Sequence, residues 1–138
     1  MVLVGRHRSS RGRRADCILV GRILRQLGLF YRKNVRGLPG APDFANQSQR
    51  WAVFVNGCFW HRHTGCSRGA PPKSNIDFWA PKLARNRHRD AQAIRALRRA
   101  GFIVAVVWEC RIGEADHHLR QTILRRDVRS RAKRGPRE

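Results

Sequence analysis

A chain of 138 residues with 30 Lys and Arg against nine Asp and Glu carries a net charge of +21. That length supports one domain with a core of its own and makes a two-domain reading forced. The positive charges run from Arg6 to Arg137, and 26 of the 30 are Arg, whose planar fork suits phosphate, so the expected partner is a polyanion, nucleic acid first, and not a membrane.

Residues 1–14 form a basic segment with Gly and Ser and no apolar period, expected to be a flexible arm. From Asp16 the residues Ile18, Leu19, Ile23, Leu24 and Leu27 predict a helix that Gly28 ends. A short extended piece over 29–35 leads into the loop Gly37-Leu-Pro-Gly-Ala-Pro42. Two strands are expected over 43–45 and 51–55, joined by the polar turn 46–50. The segment 70–75 is too rich in Pro and polar residues for regular structure. A long helix is expected from near Phe78 to Arg99, with Pro81 in or near its first turn, Gly101 just past its end, and Leu83, Ile94 and Leu97 facing inward. The unbroken apolar run 102–108 predicts a central strand covered on both faces. A last helix over 116–128 precedes a basic tail, 129–138, which leaves 15–128 as the folded unit.

The richest stretch for chemistry is Cys58-Phe-Trp-His-Arg-His-Thr-Gly-Cys66, with Cys110 far along the chain. Zinc takes four borderline or soft ligands in a tetrahedron, and Cys58, His63, Cys66 and Cys110 are one set of the right kind and number, which would make the ion structural. By spacing alone His61 competes with His63 for a place in that set. No apolar stretch reaches the roughly 18 residues of a membrane span. Arg6, Arg8, Arg11, Arg13 and Arg14 interrupt the N-terminus where a signal peptide would be apolar. A cytoplasmic protein is therefore expected, and there cysteines read as metal ligands rather than disulfides. Pro42-Asp43-Phe44 enters a strand from a Gly-Pro loop, the arrangement of PD-(D/E)xK nucleases, in which an Asp holds Mg²⁺ against the scissile phosphate. The following strand lacks the usual Glu-x-Lys and continues into Asn56-Gly-Cys-Phe-Trp-His61.

The segments Leu38-Pro-Gly-Ala-Pro-Asp-Phe44, Val53-Phe-Val-Asn-Gly-Cys-Phe-Trp-His61, Phe78-Trp79, Asn86 with Arg89-Asp90, and Val107-Trp-Glu-Cys110 stand in one order over residues 16–112. In that order and spacing the chain resembles the very short patch repair (Vsr) family of mismatch endonucleases. The resemblance implies an α/β, single-domain PD-(D/E)xK-type fold, with a mixed central sheet flanked by helices and a structural zinc site. It assigns His63 rather than His61 to zinc. It implies Mg²⁺ bound by Asp43 with the backbone carbonyl of Val55, and His61 as the group that activates water. Phe59, Trp60 and Trp79 would wedge beside the mismatch, with Lys82 and Asn86 near its edge. The implied activity is a nick in one strand of double-stranded DNA next to a T·G mismatch, by a monomer that could work with mismatch-repair proteins.

Two departures bear on activity. Many family members have His at the position of Asn56, which cannot take a proton near neutrality but can orient water or phosphate. The acidic residue usual early in the first helix falls at Cys17, with Asp16 beside it. The competing reading is a zinc-stabilised DNA-binding protein of the same fold with weak or lost cleavage. Either way, affinity for duplex DNA should fall about a hundredfold or more between low and moderate salt as counterions return to the backbone. A fluorescence-anisotropy titration in a salt series measures this, and a flat series would exclude a backbone-driven contact.

Overall fold

A computed structural model describes residues 10–61, 63–70 and 73–124. Helix α1 (Ser10–Gln26) begins six residues before the expected start, so part of the presumed flexible arm is helical. Its apolar residues begin at Cys17 and hold the helix on the sheet, and the Arg-rich turn before them is carried along. At its other end Leu29 N–H reaches Leu24 C=O (2.9 Å) and Gly28 N–H reaches Arg25 C=O (3.0 Å), the hydrogen-bond pair of a glycine-terminated helix. The remainder of the expected arm and tail, and the end of the expected last helix, lie outside the described residues.

Four strands follow, β1 (Arg32–Lys33), β2 (Phe44–Asn46), β3 (Trp51–Asn56) and β4 (Ile103–Trp108), in sheet order β1-β2-β3-β4. β1 to β3 form an antiparallel meander, and β3 pairs with β4 in parallel from Trp51↔Ile103 to Asn56↔Trp108. Between β3 and β4 the chain crosses over through α2 (Ile76–Arg99). The sheet is thus mixed, and among the described residues β4 lies at its edge rather than at its centre as its apolar run suggested. That run reports cover on both faces, which an edge strand under two helix layers also has.

Alternation along the strands sorts the core into two layers. Phe44, Trp51, Val53, Val55, Ala105 and Val107 meet Val20, Ile23 and Leu24 of α1 and Leu119 of α3 (Ala115–Leu119) on one face. Ala45, Ala52 and Val104 meet Leu97 of α2 on the other. Of the expected inner stripe of α2, Leu83 and Leu97 are buried and Ile94 is partly so. The helix starts at Ile76, two residues before the expected start, which puts Pro81 in its second turn. It ends with Phe102 N–H on Leu97 C=O (3.0 Å), next to Gly101. A 3₁₀ stretch, Glu109–Glu114, precedes the expected last helix, whose described part is divided between the short α3 and a π turn, Arg120–Leu124. No helix among the described residues is long and apolar enough to cross a membrane.

The loop before β2 is held by close packing. Gly40 has φ +74°, and a Cβ there would lie 2.7 Å from the Ala93 Cβ of α2 and 3.1 Å from the Phe54 ring. Gly40→Ala should therefore cost at least about 1 kcal/mol through strain and displacement of α2, read as a lower denaturation midpoint. An unchanged midpoint would show that the loop yields without cost.

Candidate active site and metal centre

The β3–β4 register places the residues after Asn56 beside those after Trp108. The ligand atoms of Cys58, His63, Cys66 and Cys110 converge there, all within 4.8 Å of one another. His63 Nδ1 lies 3.6 Å from Cys58 Sγ and 3.3 Å from Cys110 Sγ. Nitrogen and sulfur ligands of one tetrahedral zinc stand about 3.6 Å apart, so the donor set and its spacing both fit that ion. Burial lowers the His63 imidazole from its ordinary value and the Arg111 charge lowers it further, favouring the neutral form that ligates. Burial pushes the Cys58 thiol up to about 12; the backbone of Cys110 opposes the shift, and the thiols of Cys110 and Cys66 add to it. Burial likewise raises the Cys66 thiol, but backbone hydrogen bonding from Arg68 and Gly69 and the neighbouring thiols bring it below its ordinary value. A coordinated divalent cation would deprotonate such thiols outright.

Three features brace this cluster. The His63 ring stacks on Trp108 with centroids 4.1 Å apart and planes 6° from parallel. Glu109, 3% exposed, accepts the Cys58 N–H at 3.0 Å, tying two segments 51 residues apart. The 3₁₀ turn Ser67–Gly69 lies so close to His63 that a Cβ on Gly69 would come within 2.4 Å of the His63 carbonyl oxygen. Glu109 was visible in the sequence only as part of a motif. Its role follows from a pairing that no local pattern reveals.

Asp43 sits just before β2 and is 8% exposed. Its Oδ2 accepts the Val55 N–H at 2.7 Å, and its Oδ1 accepts from an Arg13 guanidinium nitrogen at 3.0 Å. Asp43 and Val55 are thus brought together through the Val55 N–H. Cys17, one helical turn after Arg13, has its thiol raised by burial and by the nearby Asp43 charge, with Arg13 opposing. Asp16 is buried, at 4% exposure. Asn56, also buried, ends β3 opposite Trp108.

His61 Nδ1 is hydrogen-bonded to Asp90 Oδ2 of α2, which leaves Nε2 as the nitrogen available to other groups. The partnership crosses 29 residues and was not anticipated, although Asp90 stood in a quoted motif. Its signal was an Asp on the same helix as Asn86, one turn on.

Among the expected wedge residues, Phe59 is 1% exposed, so its ring supports the cluster from below instead of presenting itself. Trp60 and Trp79 are half-buried and meet edge to face at 5.5 Å. Phe78, 61% exposed, joins them at 5.0 Å from Trp79 and is the outermost ring. Lys82 Nζ stands 5.7 Å from the Trp60 ring and 5.8 Å from those of Phe78 and Trp79, within cation–π range. The Asn86 side chain donates to the Trp60 carbonyl at 3.4 Å and accepts from Arg89 at 2.6 Å, so it fixes the aromatic turn from α2.

A family model described as DNA mismatch endonuclease Vsr matches residues 4–68. The type II nicking enzyme V.XorIIP of Xanthomonas oryzae pv. oryzae (strain KACC10331 / KXO85) is 45% identical over 92 residues, 67% of each chain. The chain belongs to the Vsr family. Two more Vsr relatives are the type II nicking enzyme V.NmeAIP of Neisseria meningitidis serogroup A / serotype 4A (strain DSM 15465 / Z2491) and the DNA mismatch endonuclease Vsr of Escherichia coli (strain K12). The first is 42% identical over 95 residues, 69% of this chain and 67% of the relative. The second is 40% identical over 83 residues, 60% of this chain and 53% of the relative. Vsr membership and the mixed α/β architecture agree.

Because Cys110 closes the cluster from the turn after β4, Cys110→Ser should weaken binding of a metal ion there and lower the thermal stability of the metal-loaded protein, since the binding energy of a structural ion is folding energy. Elemental analysis of the purified protein alongside a thermal melt checks this. Zinc absent from the wild type, with a melt unmoved by chelator, would remove the basis for a structural ion.

Proposed function

We propose that this chain is a DNA endonuclease that nicks one strand beside a T·G mismatch by Mg²⁺-dependent phosphodiester hydrolysis. The observation that carries the reading is the His61–Asp90 pair, one residue beyond Trp60 in the aromatic cluster. An imidazole held through Nδ1 by a carboxylate presents Nε2 in a fixed orientation, and the carboxylate stabilises the imidazolium formed when Nε2 takes a proton. In the proposed step Nε2 removes a proton from water as its oxygen attacks phosphorus, a new P–O bond forms, and the P–O bond to the leaving sugar oxygen breaks. Asp43 is a hard oxygen donor suited to Mg²⁺, which when bound would offset charge developing on the phosphate. Val55 is proposed to contribute its carbonyl to that ion, and Asn56, unable to accept a proton, to orient water or phosphate. Zinc is proposed for the Cys58, His63, Cys66 and Cys110 cluster, where its task is to hold the loop that carries His61.

Recognition is proposed to rest on the exposed rim of the aromatic cluster. A wobble pair opens more easily than a matched one, and Phe78, Trp60 or Trp79 could replace the lost stacking surface. Lys82, poised over these rings, would meet the mismatch edge or a phosphate. The relatives, two nicking enzymes and a mismatch endonuclease, support this reading. The domain is proposed to act as a monomer in the cytoplasm, its basic terminal segments adding to DNA affinity and mismatch-repair proteins taking over its product.

A second reading, a DNA-binding protein of this family with little cleavage, is favoured by the Arg13–Asp43 ion pair and by Cys17 and Asn56. The two are separated by a nicking assay on matched and T·G duplexes with Mg²⁺. His61→Ala and Asp43→Ala should lower nicking about a hundredfold or more while retaining zinc and mismatch binding. Asp90→Asn should lower it less. A wild type that fails to nick in any tested context, and that Asn56→His and Cys17→Glu do not rescue, would establish the binding module.

A further inference from the structure

The face of α1 that packs on the sheet runs through Cys17, Val20 and Leu24, and Arg13 continues that stripe one turn outward. The Arg13 side chain is 61% exposed, whereas the Asp43 side chain it reaches is 10% exposed. The guanidinium therefore caps the open side of a buried carboxylate whose other oxygen is already committed to the Val55 N–H. Cys17, beside the pair, brings no carboxylate, and among the described residues Arg13 is the cation in contact with Asp43.

We propose that Arg13 is a built-in competitor for the divalent cation at Asp43, occupying the carboxylate oxygen that a metal ion would need. This rests on the reading of Asp43 as a cation ligand. A cation on Oδ1 would stand close to the guanidinium, whose like charge repels it, so metal binding is favoured when the guanidinium moves away. Arg13 can leave because it is exposed and anchored only through a flexible side chain on a surface turn. Divalent affinity in the DNA-free protein is therefore held down by a residue that neither ligates metal nor moves protons.

The test uses the zinc-loaded full chain without DNA, titrated with Mn²⁺ and followed by loss of the free-ion electron paramagnetic resonance signal. Arg13→Gln should bind Mn²⁺ about tenfold tighter than wild type, the scale on which a nearby opposite charge changes proton binding to a carboxylate. Arg13→Lys, which keeps the charge but loses the fork, should stay closer to wild type than Arg13→Gln does. Asp43→Asn should lose the site in either background. Zinc content and circular dichroism equal to wild type establish that each variant is folded. Equal or weaker Mn²⁺ binding by a folded Arg13→Gln, with the site still lost in Asp43→Asn, would overturn the competition and leave Asp43 as the ligand. Mn²⁺ binding untouched by Asp43→Asn would overturn both.

Discussion

Parallel pairing of β3 with β4 brings segments that are far apart in the chain to the same end of the sheet, and the whole site hangs from that end. The last rung, Asn56↔Trp108, points Gly57 and Glu109 out of the sheet together, so Cys58 and Cys110 meet without any long excursion. Glu109 then locks the two exits by taking the Cys58 N–H. Parallel strands require a crossover, and here it is α2, which returns Trp79, Lys82, Asn86 and Asp90 over the same end of the sheet. One topological requirement thus supplies both the Cys/His cluster and the groups that hold His61 and Trp60.

The aromatic turn combines rigidity with exposure. Phe59 is buried and packs edge to face against both Trp60 and Trp79, with centroids at 5.2 and 5.4 Å. Asn86 holds the Trp60 carbonyl and Asp90 holds His61, so consecutive residues of the loop are each fixed from α2. Rings set in place before a partner arrives lose little conformational freedom on contact.

Charge in this protein is uneven in consequence as well as in amount. The 26 Arg give the chain a net positive field that would attract polyanions, a long-range effect that salt screens. Arg13 differs because its partner is a buried carboxylate at contact distance, where screening is weaker and geometry counts. Asp43, just before β2, is thereby paired with a cation that α1 carries to it.

Much was legible in the sequence because it depends on local chemistry. Ligand types at short spacing, Cys58 to Cys66, announced a metal loop, and Cys110 was the one distant partner needed to complete it. Glycines at helix ends and the apolar periods placed β3 and α2 to within two residues and the C-terminal end of α1 to within one or two, while the Arg-rich start of α1, which has no apolar period, was missed by six. Only the tertiary structure decided that Phe59 lies inside while Phe78 lies outside, since aromatic side chains read alike in sequence until a core claims one of them. It alone joined His61 to Asp90, Cys58 to Glu109 and Asp43 to Arg13, because each pair spans tens of residues and is set by strand register and helix placement. The position of β4 at the edge was hidden for a related reason: an apolar run records how much of a strand is covered, and coverage by helices leaves no trace of which strands lie alongside.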